Sequence, residues 1–343
     1  MKTSERDMAF SDIPASLSVR PATFDDAVVV TELLRRCSLE EVGRSEFEVE
    51  ELRHDWQSPG FDLAQDTRVV FTPEGRLVGY IESWATAPYV RLYCWGRVDP
   101  QYRGRGIGSS LLRWAEARAR EQLLLAPAGV QVTLTQGTHA TDLRGRALLE
   151  TQGFAPTRYF SRMAMELDGP VPEPVLPEGI VIRPFVPGRE ERALIQAVGA
   201  AFKDHWGHVE RPEEEEFRQW RHRMDDPEFD PSLWFVAAAD GQIAGMSLCD
   251  SHLTEDPDMG WVGTLGVLRP WRHQGLGLAL LHHSFREFQR RGRRRVGLSV
   301  DAQSLTGATR LYERAGMRMV RQYVHYEKEL RPGGSLATLN LDA

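Results

Sequence analysis

Long apolar runs are missing from this chain. Nothing approaches the ~18 consecutive apolar residues that a membrane-crossing helix needs. The opening residues Met1–Arg6 carry no apolar core of a secretory signal. Cysteine is scarce as well: Cys37, Cys94 and Cys249 are far apart and odd in number, and none belongs to a C-x-x-C pair. That spacing excludes a disulfide framework, makes core thiols the expected role, and points to a reducing cytoplasm. An excess of positive charge is also lacking. The net charge of −7 argues against a nucleic-acid partner. The basic run Arg290–Arg295 has no interleaved aromatics for base stacking and reads as cations at a helix C-terminus. The acidic run Glu213–Glu216 after Pro212 reads as a first-turn preference. His205 and His208 could share a helix face, but no third ligand is spaced to make a metal site.

What remains is ordinary globular composition, 41% apolar and 27% charged over 343 residues, enough for two domains. Both halves open alike, with Val19-Arg20-Pro21 and Ile182-Arg183-Pro184. Between them, Pro170, Pro172, Pro174 and Pro177 mark a semi-rigid connector. The expected division is residues 1–168, a linker at 169–179, residues 180–332, and a flexible tail at 333–343.

In the first half, strands are expected at Val69–Thr72, Leu77–Ala85, Val90–Val98, Val130–Thr135 and Arg158–Leu167. In the second they are expected at Trp234–Ala239, Ile243–Leu248, Trp261–Val267, Val296–Val300 and Gln322–Leu330. Asp240-Gly241 is a preferred hairpin pair. Helical patterns cover Glu190–Ala201, Glu214–Arg223 and Thr306–Ala315. Mixed α/β sheets with helices on both faces follow.

Two glycine-bearing segments stand in the same context. Arg103-Gly104-Arg105-Gly106-Ile107-Gly108 precedes the helical stretch Ser109–Arg120. Gln274-Gly275-Leu276-Gly277-Leu278-Ala279 precedes Leu280–Arg290. Each fits [Q/R]-x-x-G-x-[G/A] and follows an apolar strand and a proline. Unpaired N–H groups at a helix start, with glycines permitting close approach, make an anion site.

Strand, proline, anion loop, helix, strand, and then Ala308-Thr309-Arg310-Leu311-Tyr312-Glu313-Arg314-Ala315-Gly316-Met317 resembles the GCN5-related N-acetyltransferase (GNAT) superfamily. The tandem layout is similar to that of the mycothiol synthases, two-domain members of it. The resemblance implies two tandem domains, each with a central mixed twisted sheet whose strands splay apart, and acetyl-CoA as co-substrate with no metal. The loops would bind its pyrophosphate, Arg272 included. The pantetheine arm would pair with the freed edges at Arg97-Val98 and Leu265-Gly266-Val267. The acceptor would be a small-molecule amine or a protein amine, and the protein a monomer or homodimer.

The resemblance also implies a general acid at Tyr312, which would protonate the departing thiolate. The matching first-half residue, Leu149, has no proton to give, so the first half is expected to bind a CoA species without efficient turnover. The turn Asp301-Ala302-Gln303-Ser304 departs from the family pattern, with Ser304 in place of an asparagine and Ser304 or Thr306 as helix caps. Glu255 and Asp258 are the base candidates, with Asp256, Asp250 and His252 as alternatives. An acceptor pocket is implied around Asp204–His208. Beside an N-acetyltransferase for an unidentified amine stand two other readings: acetylation of a cysteinyl amino sugar, and a non-catalytic acyl-CoA-binding sensor.

Overall fold

The computed structural model describes residues 9–339. The elements in chain order are β1 (Ser18–Arg20), α1 (Ala27–Val42), α2 (Val49–Asp55), α3 (Leu63–Asp66), β2 (Thr67–Phe71), β3 (Leu77–Trp84), β4 (Arg91–Val98), α4 (Ile107–Glu121), β5 (Val132–His139), α5 (Leu143–Thr151) and β6 (Ala155–Glu166). The second half gives β7 (Ile180–Pro184), α6 (Glu191–Phe202), α7 (Glu213–Met224), β8 (Trp234–Ala239), β9 (Gln242–Asp250), β10 (Met259–Val267), α8 (Leu276–Arg290), β11 (Arg295–Asp301), α9 (Ala308–Arg314) and β12 (Arg318–Arg331). The β8–β9 hairpin turns at Asp240 and Gly241 with φ of 47° and 77°, the left-handed pair its tight turn requires.

The chain forms two compact units, and they do not divide at the proline-rich linker. Over the described residues, one comprises the chain up to Thr157 with Val324–Leu336; the other comprises Arg158–Tyr323 with the chain from Ala337. The compact units thus differ from the sequence division at 168–180. Strand β6 passes from the first unit to the second after Thr157, and β12 passes from the second to the first after Tyr323. The last strand of each half thus lies mostly in the other half's unit.

In the first unit the strand order is β1-β2-β3-β4-β5-β12. Val30, Leu33, Leu34 and Cys37 of α1 form a core with Trp56, Val69, Leu77 and Tyr80, while α4 packs against β3 and β4. Its share of β12 is anchored by Lys328, whose ammonium lies 2.6 Å from Glu116 on α4.

In the second unit the order is β6-β11-β10-β9-β8-β7. One face carries α6, with Leu194 and Val198 against Trp234, Met246 and Leu248. The other carries α8 and α9, with Phe285, Phe288 and Tyr312 against Val262, Val296 and Leu298. The linker is extended, as its prolines dictate, and Val171 is buried in that second core.

The expected flexible tail is held by backbone bonds over its described part. The Gly334 N–H donates to Gly129 and the Thr338 N–H to His208, at 3.0 and 2.9 Å. Residues 340–343 of that tail lie outside the described residues. All three cysteines are buried and free.

Candidate active site

Each unit contains a fork. In the second, β10 runs parallel to β11 only from Met259 to Val262, the last pair being Val262 with Leu298. Beyond it, Thr264–Val267 stay paired with β9 alone. In the first, β4 pairs with β5 only from Arg91 to Tyr93. The strand edges past each fork are open to an amide-bearing chain, as a sheet edge is to an added strand.

At the mouth of each fork a helix begins without a side-chain cap. Its Ncap is Gly106 in α4 and Gly275 in α8, with φ of 79° and 85°. The first intrahelical bonds are Ser110 N–H to Gly106 and Ala279 N–H to Gly275. The N–H groups of Ile107, Gly108 and Ser109, and of Leu276, Gly277 and Leu278, therefore precede the helical ladder. Alignment on the caps corrects the sequence reading. Gly275 matches Gly106, so Arg272–Gly277 corresponds to Arg103–Gly108, and α8 starts at Leu276 rather than Leu280. Gly104 and its counterpart His273 both have positive φ, 75° and 62°. Ala279 is a buried helical residue and not part of the loop.

Both second glycines face a leucine at close range. A Cβ on Gly108 would lie 2.9 Å from Leu148 Cδ2, and one on Gly277 would lie 3.1 Å from Leu311 Cδ2. In the first unit the loop opens onto a cavity of about 580 Å³ lined by Arg97, Val98, Gly104, Gly106, Gly108 and Leu149, a volume within the usual range for cofactor sites.

The loop arginines act on the protein itself. Arg272 donates to the Val267 and Ala201 carbonyls, both at 3.0 Å, and to Asp204 at 2.5 Å. Asp204 also binds Arg269, and the two guanidiniums hold its carboxyl far below the usual range. Arg272 thus braces the strand end, with one bond each from Nε, Nη1 and Nη2 to protein acceptors. Arg103 is tied likewise to Glu40 and Glu41, and Arg105 lies over the Tyr102 ring.

Tyr312 sits at the second fork. It shares a buried cluster with Val262 and Leu298, the last paired residues. Burial pushes its phenol up to about 12, so it stays protonated as a donor. Among the described residues its hydroxyl makes no hydrogen bond. The match to Leu149 is exact in backbone terms, since Met317 N–H closes on Tyr312 as Phe154 N–H closes on Leu149. The Ncap of α9 is Gly307 rather than Ser304 or Thr306, although Ser304 Oγ accepts from the Ala308 N–H at 3.4 Å.

The two expected bases are placed differently, Asp258 away from the fork and Glu255 beside it on Arg162, whose guanidinium lies 5.3 Å over the Trp261 ring. Asp258 is exposed and precedes β10 at its paired end, about 13 Å along the strand from Val262 at ~3.3 Å per residue. Glu255 is held between Arg162 and Arg321, the latter at 2.8 Å. Asp256 pairs with Arg295, also at 2.8 Å.

Asp250, ranked only among the alternatives, is a carboxylate at the fork. It stands opposite Trp261, and a bulge between Val262 and Thr264 turns Gly263 toward it. A Cβ on Gly263 would lie 3.0 Å from both Asp250 Oδ2 and Arg223 Nη2. Partial burial raises the Asp250 carboxyl, whose side chain remains 46% exposed, and Arg223, 3.2 Å away, opposes that rise. Met246, Leu248 and Asp250 share the α6 side of β9, while Tyr312 lies on the α8 side. Asp250 and Tyr312 therefore flank the fork from opposite faces. The sequence signal was present, a carboxylate ending the neighbouring strand, but only the register singles it out.

Comparison with known proteins follows this geometry. The acetyltransferase (GNAT) family model matches residues 28–154 and 194–317. A mycothiol acetyltransferase from Streptomyces bingchenggensis is 32% identical over 264 residues, spanning 75% of this chain and 79% of that protein. One from Thermomonospora curvata is 34% identical over 233 residues, spanning 67% and 71%. Among solved structures, a GCN5-related N-acetyltransferase from Sphaerobacter thermophilus is 38% identical, with a TM-score of 0.78 over 94% of this chain and 98% of that one. A tandem GNAT protein from the clavulanic acid biosynthesis pathway has a TM-score of 0.71 at 18% identity, over 92% of this chain and 99% of its own, and so shares the fold.

Proposed function

The chain belongs to the acetyltransferase (GNAT) family, an N-acetyltransferase that draws on acyl-CoA, and from that premise we propose that its second unit moves the acetyl group of acetyl-CoA to a primary amine. The observation that carries the reading is the fork at Val262, flanked by Asp250 on one face and Tyr312 on the other.

The pyrophosphate rests on the N–H groups of Leu276, Gly277 and Leu278, where the helix dipole favours negative charge. The pantetheine arm lies along Gly263–Val267, bringing the thioester to the fork. A backbone N–H there stabilises the developing oxyanion. The acceptor enters from the Asp250 face. Its nitrogen attacks the carbonyl carbon, the N–C bond forms, and its surplus proton passes to Asp250 directly or through water. The C–S bond then breaks, and the sulfur leaves with the proton of Tyr312. Solvent returns that proton.

In the first unit the cavity and loop support retention of a CoA species, while Leu149 leaves no donor for the same step. A second reading, favoured by the identity to the mycothiol acetyltransferases, makes the acceptor the cysteinyl amino sugar that precedes mycothiol. Free-CoA release over a panel of amines, with that sugar among them, tests both. No release with any amine would refute catalysis; release with simple amines but not with the sugar would refute the second reading.

A further inference from the structure

Glu82 is the carboxylate that neither loop nor fork explains. It lies on β3 directly opposite Trp95 of β4. The matching position of the second unit is Leu248, since Gly79 and Gly245 each stand three residues earlier, opposite Val98 and Val267. Leu248 is fully buried in an apolar core. The fold therefore accepts leucine at this place, and a carboxylate here costs stability by desolvation.

That carboxylate is held in one orientation. The Trp56 indole donates to the Tyr80 hydroxyl at 2.8 Å, and Tyr80 donates to Glu82 Oε2 at 2.5 Å. The Trp84 indole is a second donor to it. Burial raises its carboxyl above the ordinary range, the two donors oppose that rise in favour of the anion, and among the described residues no cation pairs with it. Its surroundings are aromatic and partly open. Phe61 stacks on Trp84 with centroids 4.1 Å apart, and Phe47 leans on Trp95 at 5.4 Å. Phe47, Phe61, Trp84, Trp95 and Glu82 all retain some solvent exposure. Arg97 covers part of the Trp95 ring at 4.6 Å, but its charge is directed to Glu41.

A hydrogen-bonded carboxylate among aromatic rings complements one kind of ligand, a positively charged nitrogen. We propose that the first unit binds a small organic ammonium ion at Glu82, between the rings of Trp84 and Trp95. Such a site holds the nitrogen in its charged form, which is not nucleophilic. It therefore recognises an amine without acetylating it, in keeping with a unit that has leucine where its partner has Tyr312. The inference does not rest on catalysis in the second unit, and either can fail alone.

The test is a titration of the full chain with choline, n-propylammonium and the uncharged carbon isostere of choline, dimethylbutanol, followed by the indole N–H resonance of Trp84. Saturable shifts are expected with both cations and none with the alcohol. Glu82→Gln should weaken cation binding by about tenfold or more. Glu82→Leu installs the residue that the second unit tolerates; it should abolish binding while melting no lower than the parent. A capped lysine peptide in the same titration distinguishes a protein-borne amine, which should bind no better than n-propylammonium. Equal binding of choline and the alcohol would overturn the proposal, as would cation affinity unchanged in Glu82→Leu, or no shift at Trp84 with any cation.

Discussion

Tyr312→Phe separates a catalytic hydroxyl from a packing ring. The ring is 7% exposed and surrounded by Val262, Leu298 and Phe285, contacts that phenylalanine keeps. The hydroxyl has no partner to lose among the described residues. Removing a hydroxyl that makes no hydrogen bond within the protein costs little, so the unfolding free energy should change by no more than about 1 kcal/mol. Turnover should behave otherwise. If the phenol protonates the leaving thiolate and that step limits, kcat falls by roughly 10²–10⁴. That corresponds to about 3–5 kcal/mol of barrier. Because burial puts the phenol at about 12, it stays protonated through neutral pH, and the loss should be flat across that range. An aryl thioester, whose thiolate leaves unaided, should recover most of the lost rate. The assay is thiol release with each donor, alongside a thermal melt. Full activity with acetyl-CoA would refute the assignment. So would a loss that is equal for both donors, or one accompanied by a large drop in melting temperature.

Three further outcomes follow from the same geometry. Asp250 must be ionised to accept a proton and its carboxyl is raised, so kcat/KM should fall as pH drops through that raised value. Asp250→Asn should lower kcat/KM and erase that acid limb, whereas Asp258→Asn should leave the profile intact. Gly277→Asp places a Cβ 3.1 Å from Leu311 and a negative charge at the helix start; calorimetry on the folded variant should find coenzyme binding at the second loop lost, and unchanged affinity there would refute the loop's role. Native mass spectrometry should count two CoA molecules per parent chain and one in Gly277→Asp, and a single CoA lost entirely in that variant would exclude the first loop.

The fold was largely legible because amphipathic strands and helices announce themselves by period, and Trp234–Ala239 appears where the pattern placed it. The start of α8 was misread because Gly275 and Gly277 allow the same pattern in two registers. What separates them is the positive φ of His273, which a side chain's identity does not reveal. The proposed base was hidden for a different reason. Asp250 gains its place from pairing with Trp261 and from the bulge at Gly263, while Glu255 is ion-paired to arginines on β6 and β12. Both are consequences of register between strands distant in sequence. The exchange of final strands was invisible as well, since each half carries a full complement of strands and an identical pattern serves either sheet.

That exchange sets a schedule for synthesis. The first unit holds the cavity beside Arg103–Gly108, yet its sheet includes Val324–Arg331. A ribosome that has finished the first half has made every loop residue of that cavity and not the strand that completes the sheet around it. The edge of β5 stays unpaired while the second half is translated, the interval in which an exposed strand is open to pairing with the wrong neighbour. A nick within 169–179 in the finished protein should leave two fragments that remain associated, because each retains a strand the other's sheet contains. The halves are repeats in sequence but not separable modules, and a stop codon after α9 would leave both units incomplete.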